Sequence, residues 1–136
     1  MATQKAGCVL VNTKTKMIAL IYREKQKDFS FPKGHLEAGE TLQECAVRET
    51  AEETKRDCMV VTEAGETVET YTTPQGEECE NHMFLAVDTG KSDNTSTDTH
   101  DVVWTSFDDV EQKLSYPSLK QTWKFFESYV KTLLQK

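Results

Sequence analysis

The stretch from Thr41 to Thr54 constrains this chain more than any other, because one backbone form alone reconciles its features. It contains neither Gly nor Pro and opens on the S/T-x-x-E pattern of a capping box, Thr41 with Glu44. Ala46, Val47, Thr50, Ala51 and Thr54 fall on one arc at helical spacing, a small-residue face suited to close packing. These features predict a helix over 42–54. On that helix Glu49, Glu52 and Glu53 stand at i, i+3 and i+4, so three carboxylates share one face. Like charges at such spacing cost roughly 0.2–0.5 kcal/mol per pair, so stability does not ask for them. Spacing alone leaves two readings: a solvated acidic face, or a site for a hard divalent cation such as Mg²⁺ or Mn²⁺, which takes oxygen ligands. Arg48, four residues before Glu52 and eight after Glu40, is placed to orient one carboxylate.

Around this helix the apolar pattern reads as strands. Gly7–Val11 and Met17–Tyr22 are short, apolar and β-branched, joined by a turn at 12–15, and the second ends at Arg23. A charged loop leads through Phe29-Ser-Phe31 to Pro32, which stops regular structure. Strand-like stretches follow at Cys58–Val61, Thr67–Thr73 and His82–Val87, the last two flanking the turn Pro74-Gln-Gly76. Residues 88–101 are polar and read as a mobile loop, followed by a short strand at Val102–Trp104 and a helical turn or two at Asp108–Leu114. Ser118 is expected to cap a last helix whose stripe, Leu119, Trp123, Phe126, Val130 and Leu133, reads as core. The order β-β-α-β-β-β-β-α-α implies an α+β fold, a mixed β-sheet sandwiched between helices.

Composition sets the outer limits. The 136 residues fit a single domain, 1–136, and 37% hydrophobic with 29% charged residues excludes collagen-like, low-complexity and wholly disordered classes. No apolar run reaches the ~18 residues of a membrane span and the first residues lack a signal-peptide core, so a soluble, cytoplasmic protein with no membrane partner is expected. A formal net charge of -7 without a basic stripe argues against nucleic acid as a partner. Cys8, Cys45, Cys58 and Cys79 show no C-x-x-C pairing and are expected to be free thiols. Monomer and homodimer remain open.

Gly34, Glu40, Arg48-Glu49 and Glu52-Glu53 together resemble the Nudix box, over residues 34–56. That box runs Gly, five residues, Glu, seven residues, then Arg-Glu-apolar-any-Glu-Glu-any-Gly-apolar. Lys55 stands where the family has Gly and Arg56 where it has an apolar residue, while Thr50 replaces another apolar residue. A Lys forced into a left-handed conformation costs about 1 kcal/mol, so the helix is expected to exit differently, through Asp57. The resemblance implies a Nudix-like α/β/α sandwich and a Mg²⁺-dependent (or Mn²⁺-dependent) hydrolase of a phosphoanhydride in a nucleoside diphosphate-linked small molecule. It also implies that Glu49, Glu52 and Glu53 bind metal, with the Gly34 carbonyl as a further ligand, while Glu40 and Arg48 orient them. Glu52 or Glu53 would be the catalytic base, with Glu80 and Asp98 as rivals outside the box.

Pro32-Lys33-Gly34-His35 resembles the diadenosine polyphosphate hydrolase branch of the family, as do Val103-Trp104 and Leu114-Ser-Tyr-Pro117. Lys33 and His35 are therefore substrate-binding candidates, with Arg23 as a phosphate contact and Tyr71 or Tyr116 able to stack on a base. His82 joins the candidates, although a histidine on a strand beside apolar residues is more often packed or hydrogen-bonded than catalytic. Other Nudix substrates remain as alternatives: an oxidised dNTP, ADP-ribose or a diphosphoinositol polyphosphate. A non-catalytic nucleotide sensor is the alternative from another class, and RNA end-processing is disfavoured by the acidic balance.

Overall fold

The computed structural model describes residues 2–95 and 100–135. Its elements in chain order are β1 (Thr3–Asn12), β2 (Met17–Arg23), β3 (Asp28–Ser30), β4 (Lys33–His35), α1 (Leu42–Thr54), β5 (Arg56–Val60), β6 (Glu66–Thr72), β7 (Glu78–Lys91), β8 (Asp101–Ser106), α2 (Val110–Lys113) and α3 (Pro117–Leu134). Among the described residues the strands form one mixed sheet with the path β3-β2-β1-β7-β5, β4 joining β1, β6 joining β7 and β8 joining β2. β1 and β7 run parallel over Thr3–Val11 and Cys79–Val87, and the remaining pairs are antiparallel.

Helices cover both faces of that sheet, which explains why β1 is apolar without alternation. Val9 and Val11 pack with Ile18, Leu20, Met83 and Leu85 against Trp123, Phe126 and Val130 of α3. Their neighbours Cys8 and Leu10 point the other way, with Ala19, Phe84 and Ala86, against Cys45 and Ala46 of α1. The small-residue face of α1 lets helix and sheet approach closely: Ala46, Thr50, Ala51 and Thr54 are buried, joined by Cys45 and Glu49, while Val47 is only half-buried. Among the described residues no helix is long and apolar enough to cross a membrane.

The start of α1 follows its local signals. Thr41 accepts from the Glu44 N–H at 3.1 Å and the Glu44 carboxylate accepts from the Thr41 N–H at 2.8 Å, closing the capping box. Its end departs from the expected exit through Asp57. Lys55 itself takes the left-handed conformation, φ 61° and ψ 29°, and donates its N–H to the Ala51 carbonyl at 2.9 Å. Arg56 begins β5 at once and clasps Asp88 of β7, Nε to Oδ2 at 2.8 Å, so a half-buried arginine paired with a buried carboxylate stands where the family has an apolar residue. Asn12 and the Gly90 N–H also donate to Asp88, which satisfies the buried carboxylate. Lys55→Gly should relieve the left-handed strain and raise the unfolding free energy by about 1 kcal/mol. A higher urea midpoint with unchanged m-value is the expected readout.

Three further expectations are revised. The three-residue strand β4, read as irregular, pairs with β1 through Lys5↔His35, Ala6↔Gly34 and Gly7↔Lys33. Gly7 is required there, since a Cβ would lie 2.0 Å from the Pro32 carbonyl oxygen. β7 continues to Lys91, so the stretch 88–101 begins as strand, and residues 96–99, with Asp98, lie outside the described residues. The last helix starts at Pro117 rather than after a Ser118 cap: Tyr116 is the N-cap, without a side-chain cap bond. Proline at the first helical position has its φ already set and no N–H to satisfy, so it starts the helix unaided.

Candidate active site

An open cleft of about 800 Å³ lies where β4 crosses in front of α1. Lys5 of β1, Arg23 at the end of β2, Lys25 of the following turn and Lys33 of β4 bring cationic side chains to it. Glu49 and Glu53 of α1 bring anionic ones, and His35, Glu37, Arg48 and His100 complete its polar lining, with Ile21 and Phe31 beneath. β4 is short but decisive, because its pairing to β1 places Lys33, Gly34 and His35 directly against α1.

Arg48 organises the acids. Its guanidinium donates to Glu40 through Nε at 2.5 Å and Nη2 at 3.0 Å, and through Nη1 to Glu49 at 2.8 Å and Glu52 at 3.3 Å. Nη2 also donates to the His35 carbonyl at 2.9 Å, tying β4 to the helix. Five N–H groups in a rigid plane suit such a hub. The Arg48 bond holds the Glu40 carboxyl below its ordinary range. Glu49 moves the other way: burial pushes its carboxyl up, Arg48 opposes this, and the nearby Glu52 charge adds to the rise.

Glu53 turns away from that hub. Its Oε1 accepts the Lys33 backbone N–H at 2.8 Å, and Oε2 lies 3.6 Å from His100 Nε2. The three acids therefore share a helix face, yet two face Arg48 while the third faces β4. Among the described residues no three acid, imidazole or thiol groups close around one point. The donor set nevertheless fits a hard divalent cation: carboxylate oxygens, one of them crowded by burial and a like charge, beside the Gly34 carbonyl. At Gly34 the missing side chain leaves the cradle open, since a Cβ would fall 1.8 Å from Glu49 Oε2. Cys45 Sγ lies 3.7 Å from the Gly34 oxygen, and burial pushes this thiol up to about 11, so it stays a neutral donor.

The substrate-binding candidates separate into two groups. Lys33, His35 and Arg23 line the cleft. Lys33 is half-buried, and desolvation lowers its ammonium's pKa. Tyr71 is not a lining residue but lies behind two of them, with Lys33 Nζ 5.1 Å and Lys5 Nζ 5.5 Å from its ring centroid. Tyr116 also stands off the cleft and spends its hydroxyl on Asp28, donating at 2.6 Å. His82 faces neither wall: its ring nitrogens meet Glu66 at 3.1 Å and Gln4 at 2.8 Å. Glu80, a rival base, accepts from Gln4 at 2.6 Å and does not line the cleft. Lys5, Asp28 and His100 were not singled out from sequence, because each joins the site through strand pairing or a distant loop.

Asp28 is 3% exposed and takes Arg23 in a two-point grip, Nε to Oδ1 and Nη2 to Oδ2, both at 2.7 Å. The guanidinium holds its carboxyl below the ordinary 3.8. With the folded pKa depressed, the folded state binds fewer protons than the unfolded chain between the two values. The grip's contribution to stability is thus full above about pH 4 and lost as pH falls through the lowered value. Acid titration of unfolding free energy should show a shallower acid limb in Asp28→Asn than in the parent chain.

Comparison with known proteins places this geometry in context. A family model described as NUDIX domain matches residues 1–127. An 8-oxo-(d)GTP phosphatase from Mycolicibacterium smegmatis is 31% identical over 112 residues, 82% of this chain. The chain spans about a third of that relative's length, 34%. A NUDIX hydrolase from Nitrosomonas europaea superposes with a TM-score of 0.75 at 20% identity, covering 95% of this chain and 90% of the other. A C. elegans Ap4A hydrolase gives the same TM-score and identity over 96% and 99% of the two chains. At such identities the structural likeness is one of fold.

Proposed function

This chain belongs to the Nudix family, and on that premise we propose that it is a Mg²⁺-dependent pyrophosphohydrolase of a polyphosphorylated nucleotide, a diadenosine polyphosphate above all. The observation that carries the reading is the two-walled cleft, with lysines and an arginine on one side and Glu49 and Glu53 on the other. A long polyphosphate chain is the small-molecule anion that such a cationic wall suits. Glu49, Glu52, Glu53 and the Gly34 carbonyl would hold the metal. When bound it supplies charge neutralisation of the phosphates and a more acidic water.

The rest of the chemistry belongs to the chain. Lys33 and Arg23 bind phosphate oxygens, Lys5 extending the cationic wall. Arg48 fixes Glu49 and Glu52 through Nη1 and joins both to Glu40, so the acids are oriented before substrate arrives. Glu53 takes the proton from the attacking water, its Oε1 fixed by the Lys33 N–H.

The Pro32-Lys33-Gly34-His35 resemblance favours the dinucleotide. A second reading, an oxidised purine nucleoside triphosphate, draws on the 31% identical 8-oxo-(d)GTP phosphatase. Ratios of kcat/KM for diadenosine tetraphosphate and 8-oxo-dGTP with Mg²⁺ decide between them, because shared metal chemistry cannot itself select a base or chain length. Mononucleotide release from the dinucleotide is expected to dominate. Absence of turnover on every phosphoanhydride in a panel with nucleotide sugars and dNTPs would remove the hydrolase reading.

A further inference from the structure

We propose that Asp28 and Tyr116 are positioning residues that hold the Arg23 guanidinium as a fixed-direction donor to a phosphate in the cleft. This deepens the polyphosphate reading and rests on it for the identity of the ligand.

Arg23 and Asp28 are cross-strand partners in the β2–β3 hairpin, so the backbone register itself brings them together. Asp28 occupies Nε and Nη2, one edge of the guanidinium, at 2.7 Å each. Among the described residues Nη1 has no hydrogen-bond partner, and Arg23 lines the cleft. Asp28 is in turn fixed by the Tyr116 hydroxyl, which donates to Oδ2 at 2.6 Å from the turn before α3. The hairpin is pinned on its other side as well. Tyr22 and Phe29 meet at a tilt, ring centroids 5.0 Å apart, and the Phe29 N–H donates to Ser115 Oγ at 3.3 Å.

This arrangement matters for what kind of contact Arg23 makes. A free arginine is a mobile charge with considerable rotamer entropy to lose on binding. With Asp28 gripping one edge, Arg23 adds little net charge, so long-range attraction for anions falls to Lys5, Lys25 and Lys33 of the same wall. What survives is direction: the unpartnered N–H groups are fixed before the ligand arrives, and an oxyanion gains geometry rather than long-range attraction. A lysine has no second edge for Asp28 to grip, so it cannot reproduce the device.

Calorimetric titration of inorganic tripolyphosphate into the full chain, with Mg²⁺ held constant, tests this without requiring turnover. Tyr116→Phe should weaken binding about fivefold, and Asp28→Asn about tenfold, as expected for loss of a charge-assisted orienting bond. Arg23→Lys should lose as much affinity as Arg23→Ala. With a hydrolysable dinucleotide the Tyr116→Phe loss should fall on KM rather than kcat. Parent-like tripolyphosphate affinity in a folded Tyr116→Phe variant, rescue by Arg23→Lys, or a loss confined to kcat would each overturn the assignment. Should Asp28→Asn fail to fold, Tyr116→Phe decides alone. Tripolyphosphate binding that behaves as expected, with no turnover on any nucleotide, would sink the hydrolase reading and leave the Arg23 grip standing.

Discussion

Glu53→Gln is expected to lower turnover by about three orders of magnitude while leaving the fold intact, the scale of losing a positioned proton acceptor. Glutamine keeps the shape of the side chain and an oxygen to accept the Lys33 N–H, now 2.8 Å from Glu53 Oε1, so β4 should stay docked on α1. The charge and the basic lone pair are what disappear. Single-turnover rates with saturating Mg²⁺ separate the chemical step from product release. A loss of less than about tenfold would move the base to Glu52, the other acid of the box suited to that role.

Gly34→Ala should abolish most activity at small cost to stability. A Cβ there would lie 1.8 Å from Glu49 Oε2 and 2.1 Å from its Cδ, an overlap no side chain tolerates. What gives way is the end of a flexible glutamate rather than backbone, so the folding penalty stays near 1–2 kcal/mol. The displaced carboxylate is a metal-binding acid in the proposed reaction, and misplacing such a group by an ångström costs about 100-fold. Thermal unfolding and kcat/KM measured on the same preparation give the contrast. A variant that keeps full activity would show that the placement of Glu49 does not matter to the reaction.

Local chemistry was legible in the sequence where neighbours in the chain decide it. The helix over 42–54 is read from Thr41, Glu44 and the absence of Gly and Pro, and the structure has it over the same residues. β4 escaped notice because three residues between Pro32 and His35 carry no periodicity, and only the partner strand β1 makes them a strand. Ser118 looked like a cap because serine often is one, yet Pro117 begins the helix before serine is needed. Lys55 shows tertiary context overruling preference. The carbonyl of Lys55 accepts from the Ser92 N–H at 3.0 Å, and β5 follows immediately, so the turn is held in place despite the wrong residue.

The candidate site divides along the same line. Glu49, Glu52, Glu53 and Arg48 lie on α1, so their mutual placement, with the Arg48 contact to Glu52, follows from helix geometry, whereas Glu40 meets Arg48 from the turn that precedes the helix. The opposite wall is assembled from β1, the end of β2 and β4, so Lys5 and the Asp28 grip on Arg23 appear only once the sheet is closed. His82 and Tyr116 are engaged away from the cleft lining, and Tyr71 reaches the cleft only through the lysines over its ring.

Lys33 touches both walls at once: its main-chain N–H donates to Glu53, the proposed base, while its side chain lines the cleft. In the proposed reaction, seating a phosphate on Lys33 would pull on the same residue that aligns Glu53. An empty cleft and a filled one need not hold their base in the same posture, and a poor ligand would be punished twice, once in affinity and again in alignment.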